Sequence, residues 1–303
     1  MSTTKRRVAL LATAGAAAVA IAVGTLVACS PTASTTTASP APSSTATAAS
    51  ETCDLDTSPG RADDRLIDST TDVSAALVTV VPSDLDAEYE RHTLTVDSTY
   101  VYTQHGNRIG VIDRGLSWSP DTDQPIVTVE SNDARVEPVE QCDALVPILV
   151  PSRVVGGDAI ASQSTGIVYI DRAALSEGDS RLRRAVVDRA DTLTILDADG
   201  SKLFETSDIW LGREGDETPA VAAAYIVAQY EDPEGQPYIY GEVQLTSAHS
   251  TTSTFLGNNG PLAIHGVQDD TTGSSRGCIR LQSKADADRV AELLSPGDLF
   301  IVH

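Results

Sequence analysis

The chain has 303 residues, and its 43 Asp and Glu residues outnumber its 21 Lys and Arg residues, which gives a formal net charge of -22 at pH 7. This balance excludes a nucleic-acid partner, because no excess of cations is available to neutralise phosphates. The acidity is typical of the solvated surface of a secreted protein. The length is sufficient for two modest domains.

The N-terminus has the pattern of an export signal. Lys5–Arg7 are basic, residues 8–27 carry no charge and are rich in Ala, Val and Leu, and the run ends in Leu26-Val27-Ala28-Cys29. This order predicts a lipoprotein signal peptide over residues 1–28, with Cys29 as the lipidated residue. The alternative is an uncleaved anchor, since about 20 apolar residues can just span a bilayer. Both predict a protein held at the outer face of the cytoplasmic membrane.

A low-complexity segment follows the signal. Residues 29–52 consist almost entirely of Ser, Thr, Ala and Pro. Such a composition cannot bury a core, so it predicts a disordered linker. A tethered protein needs a linker of this kind to reach away from the membrane.

The chain contains four cysteines. Cys29 is predicted to carry lipid, and Cys278 lies in a motif of its own near the C-terminus. Cys53 and Cys142 remain, and an even remainder in an oxidising compartment predicts a disulfide between them. The alternative is a pair of free thiols.

Residues 53–183 predict a β-rich domain. Short runs of β-branched residues alternate with Gly, Asn, Asp and Pro, which is typical of strands and turns. Leu149–Arg153 and Ser164–Ile170 resemble the closing strands of SH3-like modules. That resemblance implies a spacer, a wall-binding module or one wall of a substrate cleft. The strands are predicted at residues 75–81, 92–96, 99–102, 109–112, 125–129 and 144–150.

Residues 184–303 predict a second domain that is also mostly β. The turn residues Asp197–Gly200 predict a hairpin between Asp191–Leu196 and Lys202–Thr206. Ser283–Asp286 resembles a capping box, and the apolar residues that follow recur at helical spacing. One helix is therefore expected near the C-terminus, with an apolar face made of Ala287, Val290, Ala291 and Leu294.

The segment with the clearest chemistry is Ser275–Leu281, preceded by Ile264–Gly266. A cysteine nucleophile needs a nearby base, because the thiolate is the reactive form. Gly277 allows a tight turn beside Cys278. In an extended chain, Cys278 and Arg280 share one face, and the two apolar residues alternating with them pack towards a core.

These residues resemble the signature of the L,D-transpeptidases, the YkuD-type catalytic domain, from about residue 186 to residue 303. The resemblance implies a mainly β fold, with a YkuD-type β-sandwich or barrel over residues 184–303 and a small SH3-like β domain before it. Three features depart from the family pattern. Ala220 and Val221 replace the usual sequence after Thr218-Pro219, and the spacer over residues 267–274 is short. Arg276 stands where many members have histidine, which leaves His265 as the only base expected near the sulfur.

The resemblance implies acyl transfer on peptidoglycan stem peptides, with formation of 3-3 cross-links in cell-wall assembly. Cys278 is the implied nucleophile, held as a thiolate by the base His265, and the Gly266 carbonyl orients that base. The backbone around Gly277 is the implied oxyanion site, and no metal or organic cofactor is expected. The residues assigned to substrate or to motif geometry are Ser275, Arg276, Arg280 and His249.

Two other functions stay open from the sequence. An L,D-carboxypeptidase would use water as the acceptor of the same acyl group. A wall-binding lipoprotein with a degenerate catalytic domain would bind stem peptides without reacting. The expected partners are peptidoglycan stem peptides and, through the N-terminal lipid, the membrane.

Overall fold

Two large β-sheets make up most of the fold, and this confirms the mainly β prediction. The signal segment, the linker, Cys29, Cys53, Cys142 and Arg276 lie outside the described residues, so the predictions of lipidation and of a disulfide lie outside them as well. The computed structural model describes residues 55, 64–82, 85–137, 144–155, 165–212, 214, 217–231, 239–250, 260–267, 275 and 277–303.

The first sheet belongs to the region before residue 183. Its strands run in the order β3-β8-β9-β11-β4-β5, and β2 pairs with β11. Beside it, β1 pairs with β10 in parallel, and β6 and β7 form a small hairpin. The strands are β1 (Asp72–Ser74), β2 (Thr79–Val80), β3 (Glu88–His92), β4 (Ser98–Tyr102), β5 (Arg108–Asp113), β6 (Gly115–Leu116), β7 (Ser119–Asp123), β8 (Ile126–Glu130), β9 (Leu145–Leu149), β10 (Arg153–Val155) and β11 (Gly166–Asp171).

Two strands predicted in this region differ from the structure. The strand expected at residues 92–96 lies at Glu88–His92 instead, because the backbone of Thr93 and Thr95 bonds to the segment at residues 174–176. The strand expected at residues 75–81 is reduced to β2, because the backbone turns back after Ser74. In both places a long-range or turn hydrogen bond replaces the strand–strand hydrogen bonds that the β-branched residues would predict.

The second sheet has nine strands in the order β14-β13-β12-β20-β16-β17-β18-β19-β15. Two neighbouring pairs are parallel, β12 with β20 and β18 with β19. The elements are β12 (Arg184–Asp188), β13 (Thr192–Leu196), β14 (Lys202–Thr206), β15 (Ile209–Trp210), β16 (Val221–Glu231), β17 (Ile239–His249), β18 (Pro261–Val267), β19 (Ile279–Leu281), α1 (Lys284–Leu293) and β20 (Leu299–Val302).

Helix α1 begins where the sequence predicts. Ser283 caps it by accepting a hydrogen bond from the Asp286 amide at 3.3 Å. The Asp286 carboxylate does not complete a reciprocal capping box with Ser283 among the described contacts, since it accepts from the Thr206 hydroxyl at 2.7 Å. No helix in the described part of the chain is long and apolar enough to cross a membrane.

The apolar face of α1 packs behind the strands of the candidate site. Its buried residues include Leu293, while the predicted Ala291 is only half-buried. Full burial of a valine or leucine side chain, such as Val290 or Leu293, contributes roughly 1.5–3 kcal/mol. The helix residues Ala287, Val290, Leu293 and Leu294 share one core with Leu262, Ile264, Ile279 and Leu281.

A second core joins the two regions of the chain. Tyr225 on β16 and Leu299 on β20 cluster with Tyr102, Leu149 and Tyr169 of the first sheet. Residues 49–303 accordingly form one compact unit. The boundary predicted between residues 183 and 184 therefore crosses a continuous apolar core.

The shared core contains two buried tyrosines that differ in one hydrogen bond. Tyr169 donates to the Val136 carbonyl at 2.9 Å, whereas the hydroxyl of Tyr225 has no partner in the described structure. A buried polar group without a partner costs about 1–3 kcal/mol. We therefore expect Tyr225→Phe to raise the free energy of unfolding by about 1 kcal/mol or more.

Tyr169→Phe is the matched control, and we expect it to lower the free energy of unfolding by about 1 kcal/mol, because it removes a hydrogen bond that is made. Chemical denaturation of the two variants beside the wild type measures both changes. A loss of stability in Tyr225→Phe similar to that in Tyr169→Phe would show that the Tyr225 hydroxyl is satisfied.

Candidate active site

His265 lies inside strand β18, two residues before its end at Val267. Strand β18 pairs in parallel with β19, and this pairing places His265 opposite Arg280. The imidazole is buried, with 6% of the residue exposed. Strand β18 also pairs with β17 on its other side, so His265 lies in the interior of the sheet and not at its edge.

Cys278 directly precedes β19 and is half-buried. Paired residues of parallel strands point to one face of a sheet, and so do residues two apart in an extended strand. Cys278, Arg280 and His265 therefore share one face. Ile279 and Leu281 point to the other face and are buried in a core, as the sequence predicted, and this core includes residues of α1.

The orientation of His265 is set by the residue next to it. Its Nδ1 lies 3.2 Å from the carbonyl oxygen of Gly266. A carbonyl only accepts hydrogen bonds, so Nδ1 is the protonated nitrogen and Nε2 is the basic one. This contact agrees with the role that the sequence assigned to the Gly266 carbonyl.

Gly277 occupies a backbone conformation that other residues rarely adopt. Its φ is +105°, and a Cβ at this position would lie 3.0 Å from Leu262 Cδ2 and 3.4 Å from Ser250 Oγ. Both the conformation and the space therefore require glycine. The turn that delivers Cys278 to the start of β19 depends on this residue.

Two hydroxyls bind the backbone around Cys278. Ser275 Oγ donates to the Cys278 carbonyl and accepts from the Gly277 amide at 3.1 Å. Thr218 Oγ1 donates to the Gly277 carbonyl at 2.9 Å and accepts from the Gly212 amide at 2.9 Å. Ser275 is thus engaged within the motif, which favours the geometric role over contact with substrate.

These hydrogen bonds reduce the set of backbone N–H groups that can form the oxyanion site implied by the sequence. The Gly277 N–H is directed at Ser275 Oγ, so it does not point to a reacting carbonyl. Arg276 lies outside the described residues, and its assigned role stays a prediction. Thr218 was considered in the sequence only as part of an altered loop, since nothing local to it indicates a contact with Gly277.

The electrostatics of Cys278 differ from the thiolate that the sequence predicted. Burial raises the pKa of the Cys278 thiol above its ordinary value, although a hydrogen bond from the Ala263 backbone and the charge of Arg280 partly oppose this shift. This direction favours the protonated thiol over the thiolate. Attack on a carbonyl requires that a base remove its proton during the reaction.

His249 lies at the end of β17 and is 7% exposed. Its Nδ1 is 3.0 Å from the Ser247 carbonyl and its Nε2 is 2.9 Å from the Ser69 carbonyl. Burial lowers its pKa, and the two backbone contacts partly oppose that shift. Both ring nitrogens lie against backbone carbonyls of the protein, to only one of which a neutral ring can donate. This geometry does not support the substrate contact that the sequence predicted for His249.

A cavity of about 1000 Å³ lies in the first region, against β3 and β8. Carboxylates line much of it, among them Glu88, Glu90 and Glu130. Neither Cys278 nor His265 is among the residues of its wall. The cavity is therefore separate from the candidate active site.

Comparison with known proteins gives one family and several structural neighbours. Residues 182–302 match the YkuD family, the L,D-transpeptidase catalytic domain. No curated protein matches the chain. The matched residues include Thr218, His265, Ser275, Gly277 and Cys278.

Solved structures similar to the chain include an L,D-transpeptidase from Mycobacterium smegmatis, with 16% identity over 52% of this chain and 90% of the other and a TM-score of 0.30. The helical cell shape determining protein Pgp2 from Campylobacter jejuni has 20% identity over 41% of this chain and 48% of its own, with a TM-score of 0.31. The catalytic domain of the E. faecium L,D-transpeptidase has 20% identity over 40% of this chain and 96% of its own, with a TM-score of 0.27.

Proposed function

We propose that residues 182–302, which belong to the YkuD family of L,D-transpeptidase catalytic domains, transfer peptidoglycan stem peptides through an acyl group on Cys278. The observation that carries this proposal is the position of Cys278 and His265 on one face of the parallel strands β18 and β19. The Gly266 carbonyl holds His265 in the tautomer that a general base needs.

The first half of the reaction forms a thioester. Cys278 Sγ attacks the carbonyl of the third stem residue, a diamino acid, while His265 Nε2 takes the thiol proton. The tetrahedral intermediate collapses, the bond to the terminal D-Ala breaks, and His265 returns the proton to the departing amine. The raised pKa of Cys278 supports this order, because proton removal then accompanies attack.

The second half releases the acyl group to a second stem. The side-chain amine of its diamino acid attacks the thioester, and the bond that forms is a 3-3 cross-link. His265 accepts the proton of the amine and returns it to Cys278 Sγ as the thiol leaves. The free thiol is then restored with no reactant other than the two stem peptides.

The position of the first region supports a role as one wall of the substrate cleft. The Ser69 carbonyl of that region contacts His249 at the end of β17. The next residue, Ser250, lies close to Gly277. The region of the first sheet is thus in direct contact with β17, the strand that flanks β18.

The N-terminal sequence supports a location at the membrane. The basic start, the apolar run and Cys29 are the pattern of a lipoprotein signal. Lipid on Cys29 would hold the chain at the outer face of the cytoplasmic membrane. The linker over residues 29–52 would let the catalytic region reach the wall.

Incubation with purified tetrapeptide muropeptides tests the proposal. We expect cross-linked dimers together with one released D-Ala per dimer, because the acyl group passes to an amine. Mass spectrometry distinguishes dimers from shortened monomers. Shortened monomers alone would identify a carboxypeptidase, and unchanged muropeptides with no acylation by a carbapenem would indicate a protein that binds the wall without reacting.

A further inference from the structure

The peptide bond between Gly277 and Cys278 is fixed by a residue far away in the sequence. Thr218 is 3% exposed, and its hydroxyl contacts the carbonyl oxygen of Gly277 at 2.9 Å. The same hydroxyl accepts a hydrogen bond from the Gly212 amide. Gly212 also pairs with Ser275 in a parallel bridge. Both backbone partners of the Thr218 hydroxyl, Gly212 and Gly277, are therefore connected to the Cys278 motif.

The Gly277 carbonyl and the Cys278 amide belong to one planar trans peptide group. Its C=O and its N–H therefore point in opposite directions. When Thr218 holds the carbonyl on one side, the Cys278 N–H is directed to the other side. Fixing the carbonyl oxygen thus fixes the direction of a hydrogen-bond donor next to the thiol.

Gly277 makes such a restraint necessary. A glycine at positive φ has access to more backbone conformations than any other residue. The peptide plane after it can therefore rotate unless a partner holds it. Only a hydroxyl can accept from the Gly212 amide and donate to the Gly277 carbonyl with the same atom.

We propose that Thr218 is a positioning residue that directs the Cys278 amide at the oxyanion formed when Cys278 attacks a carbonyl. This proposal rests on the proposed function, because it assigns a role in the same acyl transfer. Ser275 acts on the neighbouring peptide group by donating to the Cys278 carbonyl. The two hydroxyls hold the carbonyls on either side of the Cys278 amide.

The test compares two reactions of the same thiol. Acetylation by p-nitrophenyl acetate forms a thioester, releases p-nitrophenolate and passes through an oxyanion. Alkylation by iodoacetamide displaces iodide directly and forms no oxyanion. Loss of one oxyanion donor costs about 10²–10³ in rate. We therefore expect Thr218→Val to slow acetylation roughly 10–10³-fold and to leave alkylation within about threefold of the wild type.

Thr218→Ser is the matched variant, since it keeps the hydroxyl and removes only a methyl group. We expect it to restore acetylation to near the wild-type rate. Equal losses of acetylation and alkylation in Thr218→Val would show a general disturbance of the thiol and would overturn the proposal. An acetylation rate equal to the wild type would overturn it too.

Two further measurements separate the possible failures. If circular dichroism shows that Thr218→Val does not fold, Thr218→Ala provides the same comparison with a smaller side chain. Both thiol reactions are independent of the natural substrate, so they test Thr218 even if the wild type leaves muropeptides unchanged. In that case the proposed function is wrong. The acetylation and alkylation rates of Thr218→Val still decide whether Thr218 positions the Cys278 amide.

Discussion

Replacement of Cys278 by alanine is expected to abolish acylation, with a rate loss on the order of 10⁶-fold. The thiol is the nucleophile of the proposed reaction, and alanine has no group that can replace it. Ser275 is engaged with the backbone of Cys278 and Gly277. Intact-protein mass after exposure to a carbapenem measures the effect, because the wild type gains the mass of the acyl group.

The fold should survive this change, since Cys278 is half-buried and a smaller side chain leaves the buried residues of β19 in place. Equal melting curves of the two proteins are the control. A mass increase that persists in Cys278→Ala would show that another residue carries the acyl group and would rule out the proposed mechanism.

Replacement of His265 by alanine is expected to slow acylation at neutral pH by about 10²–10⁴-fold. The effect should depend on pH. Burial raises the pKa of the Cys278 thiol, so the thiol stays protonated near pH 7 and depends on His265 for attack. As the pH rises towards that pKa, thiolate forms without a base, and the variant should regain part of its rate.

The measurement is the acylation rate of wild type and His265→Ala between pH 6 and pH 10. Alkylation of wild-type Cys278 should have a midpoint above about 8.5, the ordinary value for cysteine. His105→Ala is the matched control, because His105 is exposed on the first region. A constant ratio between wild type and His265→Ala at all pH values would show that His265 is not the base.

The local part of the site could be predicted from the sequence. Alternating residues around Cys278 indicate which side chains face the core, and Ile279 and Leu281 are buried as expected. Ser283 caps α1 for the same reason, since capping depends only on residues within one turn. These features follow from the nearest neighbours along the chain.

The contacts that complete the site could not be predicted in this way. Thr218 bonds to Gly277 across 59 residues, and His249 bonds to Ser69 across 180 residues. Neither polar residue lies in a pattern that specifies its partner, because register and sheet order decide which backbone groups meet. The sequence therefore indicates Cys278, His265 and the adjacent Gly266 carbonyl as candidates, but not the distant contacts made by Thr218 and Ser69.

The position of β20 has a consequence for the order in which the chain can be synthesised and folded. Leu299–Val302 lies between β12 and β16 within the nine-stranded sheet, and Leu299 also enters the core shared with the first sheet. Both cores therefore stay incomplete until β20, which is synthesised after Cys278, is present. A nascent chain interrupted between Cys278 and Leu299 would carry the whole reactive motif but could not close either core. The thiol thus gains its folded surroundings only after β20 has been synthesised.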